Sequence, residues 1–306
     1  MAENSKKSKL NLFKKKKSVS DERQMRLKQS QEAILNKKTP FVVQEAYRTA
    51  RTNIIFSLAG ITEGCKVLVV TSANSGEGKT TTTLNLAITF AQTGSKVLLM
   101  DCDLRKPRIH QYLGVVKTDG LTTILSRQKQ FEDVVYHNLR PGLDCVTSGS
   151  IPPNPAELLG SDAMGELVTR LSEEYDYILL DTPPVTVVTD AAALSKWSSG
   201  VMMVVREGYT NHESIEQALK LLGIANAKVL GFFVNDIDTM SINYGSYRSG
   251  YGKAYRSRKY RYGNGYDNGY GYGYGYGYGY GYGYYYGDKH GKKKEEDSNS
   301  SEAKSQ

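Results

Sequence analysis

The sequence predicts an α/β fold, a mainly parallel β-sheet with helices on both faces. Three observations carry this. Short apolar runs rich in β-branched residues recur along the chain, such as Val67-Leu68-Val69-Val70 and Tyr177-Ile178-Leu179-Leu180. Segments with helical spacing of apolar residues separate them, and strands that alternate with helices need crossover connections, which make the sheet parallel. The runs also show little polar alternation, as strands buried on both faces do.

The elements follow in order. Residues 1–38 read as a basic, disordered arm and residues 39–240 as the folded domain. The domain opens with a helix from Thr39-Pro40, carrying Val42, Val43, Ala46, Ala50, Ile54 and Leu58 on one side, closed by Gly60 and Gly64. The strand Val67–Val70 leads into Thr71-Ser72-Ala73-Asn74-Ser75-Gly76-Glu77-Gly78-Lys79-Thr80, and a helix follows from Thr81 to Phe90. Strands are predicted at Lys96–Met100, Leu143–Val146, Tyr177–Asp181, Val201–Val205 and Val229–Val234. Between them, helices are predicted at Leu121–Ser126, at Ala156 to about Glu173, near Asp190–Lys196 and at about His212–Leu222. Residues 241–306 read as a flexible tail. Of 23 tyrosines, 17 lie between Tyr244 and Tyr286, many in Gly-Tyr alternation from Gly269 to Tyr284. Such a stretch has too little aliphatic surface to offset the entropy of ordering it.

Composition narrows the class. No apolar run approaches the roughly 20 residues needed to cross a bilayer. Three scattered cysteines, Cys65, Cys102 and Cys145, form neither a disulfide framework nor a zinc motif. Both features point to the cytoplasm. The net charge of +8 resides entirely in residues 1–38, where 12 Lys/Arg face 4 Asp/Glu. The arm's Lys14–Lys17 run lies beside Leu10, Leu12 and Phe13, a combination suited to an anionic membrane surface. Nucleic acid would satisfy the same charges but is not expected as a partner.

The loop Asn74-Ser75-Gly76-Glu77-Gly78-Lys79-Thr80-Thr81 is the chemical centre. Strand, Gly-rich turn, Gly-Lys-Thr and helix together make a phosphate loop, in which backbone N–H groups curl round a phosphate at a helix N-terminus. Lys79 is expected at the β/γ-phosphates and Thr80 on Mg²⁺. Ala73 stands where the motif has its first glycine. Asp101, Asp103, Asp181 and Asn235 all fall at strand C-terminal ends, where α/β sheets bind ligands. If the strand geometry continues past Asp101, Asp101 and Asp103 share a face. Asp181 resembles a Walker-B aspartate that holds Mg²⁺, and Asn235 is a candidate to bracket the base.

Three nucleotide motifs carry a family resemblance: Ala73-x-x-Gly76-Glu77-Gly78-Lys79-Thr80, Leu98-Leu99-Met100-Asp101-Cys102-Asp103-Leu104-Arg105, and Ile178-Leu179-Leu180-Asp181-Thr182-Pro183-Pro184. Pro152-Pro153-Asn154-Pro155-x-Glu157-Leu158-Leu159, Glu45-x-x-Arg48-x-x-Arg51 and the tyrosine-rich tail extend it. The chain resembles the bacterial tyrosine kinases, which reuse the P-loop NTPase fold, and in particular their firmicute form. The resemblance implies ATP and Mg²⁺, and a cytoplasmic kinase recruited to the inner face of the cell membrane by a membrane-spanning activator in capsule or exopolysaccharide production. It implies that Lys79, Asp101 and Asp103 are catalytic, with Asp101 the base for the acceptor, and that Thr80, Asp103 and Asp181 support the metal. Glu45, Arg48 and Arg51 become a contact that builds a ring-like homo-oligomer. The acceptors become Tyr270, Tyr272, Tyr274, Tyr276, Tyr278, Tyr280, Tyr282, Tyr284, Tyr285 and Tyr286. The competing reading is a MinD/ParA-like positioning ATPase without kinase activity. Those relatives carry an extra lysine early in the loop, where this sequence has Asn74.

Overall fold

The computed structural model of the chain describes residues 31–60 and 64–237, with Met25 and Lys28 besides. All lie within Met1–Ile242, the first of the two units into which the chain divides. Most of the basic arm and the whole tyrosine cluster lie outside the described residues.

Among the described residues seven strands form one sheet: β1 (Lys66–Ser72), β2 (Val97–Asp101), β3 (Tyr136–Arg140), β4 (Leu143–Val146), β5 (Tyr177–Asp181), β6 (Gly200–Arg206) and β7 (Val229–Asn235). Their order is β3-β4-β2-β5-β1-β6-β7. Every pairing is parallel except β3 with β4. Alternate residues of the central strands face opposite cores. Leu68, Val70, Leu99 and Leu179 pack with α1 (Phe41–Ser57), α2 (Lys79–Ala91) and α3 (Ile109–Leu113). Val67, Val69, Leu98, Met100, Ile178 and Leu180 pack on the other side. There they meet α4 (Leu121–Leu125), α5 (Pro155–Leu159), α6 (Asp162–Leu171), α7 (Asp190–Ser195) and α8 (His212–Ile224). The predicted layers are therefore present, with both faces of the sheet covered.

Four local features differ from the sequence reading. The strand β3 was not foreseen: its run Tyr-His-Asn-Leu-Arg has one aliphatic residue and sits half-exposed at the edge. The helix α3 was hidden by Lys106-Pro107, and only Ile109 of its five residues is buried. The single helix expected from Ala156 is two, α5 and α6, parted at Gly160-Ser161. In α1 the buried side chains are Tyr47 and Ile54, with Leu58 just beyond, while Val42 and Val43 are exposed. Only the later turns of α1 lie on the sheet, where the Tyr47 ring stacks on Phe233 at 5.3 Å between centroids.

The boundary expected at residue 39 also moves upstream. Ile34 and Leu35 are buried. The Leu35 N–H donates to Asn85 Oδ1 (2.8 Å) and Asn85 Nδ2 donates back to the Ala33 carbonyl (3.0 Å). Burying two such aliphatic side chains contributes roughly 1.5–3 kcal/mol each, enough to anchor the end of the arm against α2.

Candidate active site

The loop after β1 owes its shape to two glycines. Gly76 and Gly78 have φ of +85° and +88°, where an L side chain is strained. Gly78 is also crowded, since a Cβ there would lie 2.0 Å from Asn235 Nδ2. Ala73 is not among the residues with positive φ, and its methyl group is buried, so alanine serves in the first motif position. The helix α2 begins at Lys79, which leaves its first N–H groups and positive dipole end facing the loop. A cavity of about 340 Å³ opens here, lined by Ser75, Gly76, Gly78, Lys79, Thr80 and Thr81 on the loop side.

The side chains of three of the expected nucleotide ligands are engaged within the protein. Glu77 is fully buried and its carboxylate turns away from the cavity. It accepts from the Asn74 N–H (3.0 Å), Asn74 Nδ2 (3.2 Å) and the Thr210 hydroxyl (2.6 Å). Asn74 is thus spent on the loop itself. Asn235 Nδ2 donates to the Glu77 carbonyl at 3.1 Å, so its amide braces the loop. Tyr209 adds a bond from its hydroxyl to the Ser75 carbonyl (3.1 Å). Thr210 and Tyr209 escaped the sequence reading because a lone Thr or Tyr after a strand carries no signal.

The register of β5 against its neighbours puts the carboxylates together, with Asp101 directly opposite Asp181. Both are fully buried. Asp101 Oδ2 accepts from the Ile109 N–H (3.1 Å), while Oδ1 has no partner. Burial first, and then the neighbouring Asp181, push Asp101 well above the usual carboxylate range. Asp181 Oδ1 accepts from the Thr83 hydroxyl (3.2 Å) and Oδ2 is unpartnered. Burial raises Asp181 to about 6 against the opposing pull of Lys79 and Thr80. Asp103 lies two residues past the end of β2. Asp103 alone of the three lines the cavity. Its Oδ2 stands 3.6 Å from Lys79 Nζ, and its Oδ1 accepts from the Lys106 N–H (2.9 Å).

The orphaned, buried Asp181 Oδ2 beside Thr80 suits a divalent cation. Among the described residues no three His, Cys, Asp or Glu side chains converge to hold one unaided. Magnesium would therefore take its other ligands from phosphate oxygens and water, as it commonly does. The far wall of the cavity is basic, with Arg105, Lys106 and Arg108. Arg105 is held by the buried Asp190 through two bonds of 3.0 Å. Tyr112 closes one side, its hydroxyl 3.0 Å from that of Thr81.

The charged trio of α1 lies apart from this site. Glu45 and Arg48 pair with each other on the surface. Arg51 turns inward and donates to the Thr89 carbonyl at 2.7 Å.

A parallel sheet with a phosphate loop, a cation at the cradle and acids on the adjoining strand ends defines a P-loop nucleotide-binding protein. The family model of the AAA domain matches residues 65–229, from β1 to the start of β7. The chain is 44% identical over 191 residues to the tyrosine-protein kinase YwqD of Bacillus subtilis, covering 62% of this chain and 80% of that one. It is 35% identical over 219 residues to the tyrosine-protein kinase CpsD of Streptococcus agalactiae, covering 71% and 93%. Among solved structures it matches the chimerical protein CapA2B2 with a TM-score of 0.61 and 36% identity, over 65% of this chain and 86% of that chain. The chain belongs to the bacterial tyrosine-protein kinases. Among the described residues no helix is long and apolar enough to cross a membrane.

Proposed function

We propose that this kinase transfers the γ-phosphoryl group of ATP to its own tyrosine cluster, Tyr270–Tyr286, in trans between subunits of a ring-like oligomer. It would act at the inner face of the membrane with a membrane-spanning activator, in the synthesis and export of a capsular or extracellular polysaccharide. Relatives named as tyrosine-protein kinases support the chemistry. The basic arm supports recruitment to an anionic surface.

The observation that carries the reading is the contact of Lys79 with Asp103 in the cavity at the strand ends. In the transfer, a tyrosine oxygen attacks the γ-phosphorus, the new O–P bond forms as the bond to the ADP oxygen breaks, and the phenolic proton goes to a carboxylate. Magnesium, held by Thr80, Asp103 and Asp181, would neutralise phosphate charge. Lys79 sits in the cradle to offset the charge on the phosphates. The proton passes to the Asp101–Asp103 pair. Asp101 ends β2 with one carboxylate oxygen unpartnered, and Asp103 is the one that reaches the cavity. The strand β7 ends at Asn235, against the loop. The sequence separates Asn235 from Tyr270 by 35 residues, and a Gly-rich coil of that length would span about 30–35 Å root-mean-square, enough to reach a neighbouring subunit.

The test mixes an active kinase lacking residues 241–306 with a full-length Lys79→Met partner and ATP–Mg²⁺. Phosphotyrosine should appear on the inactive partner. Its absence, with the truncated kinase shown active on an added tyrosine peptide, would sink the trans arrangement.

A further inference from the structure

The turn from Asp103 to Arg108 is tied down at several points. Asp103 Oδ1 holds the Lys106 N–H, Pro107 is buried, and Arg105 is clamped on the buried Asp190. This rigid turn presents Lys106 and Arg108, both exposed, to the same cavity that Lys79 and Asp103 line. Among the described residues neither Lys106 nor Arg108 has an ion-pair partner. The cradle of Gly76, Gly78 and Lys79 already serves the nucleotide's phosphates, so two further unpaired cations across the cavity call for a second anion.

The sequence supplies one. From Gly269 to Gly287 the chain has no charged residue, and glycine alternates with tyrosine up to Tyr284. Unmodified, this acceptor offers two cations nothing to pair with. Each phosphorylated tyrosine adds about −1.5 to −2 charge and three strong acceptor oxygens. In an extended chain, residues two apart lie on the same side at about 6.6 Å. A modified tyrosine and the next unmodified one can therefore face one wall together.

We propose that Lys106 and Arg108, with Arg105 fixed behind them, form a phosphotyrosine subsite. It holds one modified tyrosine of the repeat while a neighbouring unmodified tyrosine occupies the transfer position. Phosphorylation of the cluster then favours further phosphorylation of the same tail. The idea rests on the cluster being the acceptor.

The test reads binding, without transfer. Phosphatase-treated full-length protein, saturated with ADP–Mg²⁺, is titrated into fluorescein-labelled Gly-Tyr repeat peptides carrying either one phosphotyrosine or none. The phosphopeptide should bind about tenfold tighter or more, as expected for charge-assisted contacts to a phosphate. The preference should vanish in the Lys106→Ala/Arg108→Ala variant and persist in the charge-preserving Lys106→Arg/Arg108→Lys variant, which also controls for folding. Equal affinity for the two peptides would overturn the proposal. So would a preference that survives the alanine variant, or a phosphopeptide that binds only without ADP and competes with it. A protein that binds the phosphopeptide as expected but never phosphorylates a Gly-Tyr peptide would instead count against the kinase reading of the tail.

Discussion

The middle of the sheet and its β7 flank are built from the same kind of sequence and end with opposite exposure. Tyr177-Ile178-Leu179-Leu180 and Val229-Leu230-Gly231-Phe232-Phe233-Val234 are both short apolar runs. In β5 every residue after Tyr177 is buried, whereas in β7 Phe232 and Val234 are 47% and 46% exposed. The nearby helix α1 repeats the pattern, with Phe41 and Val42 exposed a turn before the Glu45–Arg48 pair and Ile55 and Phe56 exposed near its end. In the middle, apolar sequence makes a rigid floor and the strand ends carry the chemistry. On the flank, apolar and charged groups face outward together, as surfaces that meet a partner do. This difference is what the predictions probe.

The largest effect belongs to the middle. Lys79→Met should abolish tyrosine phosphorylation while the thermal unfolding midpoint changes little, because the two cores do not include this side chain. Purified protein with ATP–Mg²⁺ and a phosphotyrosine antibody reads the first part, and calorimetry the second. Full activity in the variant would remove the phosphate-loop assignment.

The two acids next to it should separate. Asp103→Asn is expected to lower kcat by roughly 10²–10⁴-fold, the range for a group engaged in proton transfer or charge stabilisation. Asp101→Asn should lower kcat by a similar factor yet raise the unfolding midpoint, since it removes a buried carboxylate held opposite Asp181. A variant of Asp101 that is inactive but no more stable than the parent would mean that the raised acid is not under the strain argued here.

Much of the middle was legible in advance. The Gly-rich turn, the strand-end acids and the parallel order follow from local pattern, because buried strands leave little freedom in composition. The flank was legible only as motif. Glu45, Arg48 and Arg51 are spaced on one helix face, yet Arg51 binds the Thr89 carbonyl and Glu45 satisfies Arg48. Which way a long side chain turns depends on neighbours distant in sequence. The same holds for Glu77, whose inward turn is set by Thr210, 133 residues away.

Arg48→Ala/Arg51→Ala therefore tests the flank directly. Nucleotide binding should stay near normal, the oligomer mass by light scattering should fall, and tail phosphorylation should drop several-fold as the effective concentration of a neighbour's tail is lost. Single variants sharpen this. If Arg51→Ala mainly lowers stability and Arg48→Ala mainly lowers mass, Arg51 belongs to the fold and Arg48 to the interface. An unchanged mass in the double variant would leave the exposed flank without the role assigned to it.

The opposite edge provides the smallest effect and completes the contrast. Unlike β7, the edge strand β3 is polar, antiparallel and irregular in register, features that blunt an edge against pairing. One carboxylate gathers its contacts. Asp144 accepts from the Asn138 N–H (2.8 Å) and the Tyr175 hydroxyl (2.7 Å), and pairs with His137 Nδ1 (2.8 Å). Burial alone would raise its pKa, but the Asn138 N–H, Tyr175 and His137 outweigh it and hold Asp144 below the usual carboxylate range. The sign follows from the ionised form being favoured in the fold. The contribution is fully present above the unfolded value of about 3.9 and fades as pH falls through the lower folded value. Asp144→Asn should cost about 1.5–3 kcal/mol at neutral pH, the scale of hydrogen bonds to a charged group. The difference in unfolding midpoint between variant and parent should then shrink below pH ~4. Kinase activity and oligomer mass should not change, since β3 lies four strands from β1, five from β6 and six from β7. A loss of oligomer mass in Asp144→Asn would show that both edges, and not the β7 flank alone, face a neighbour.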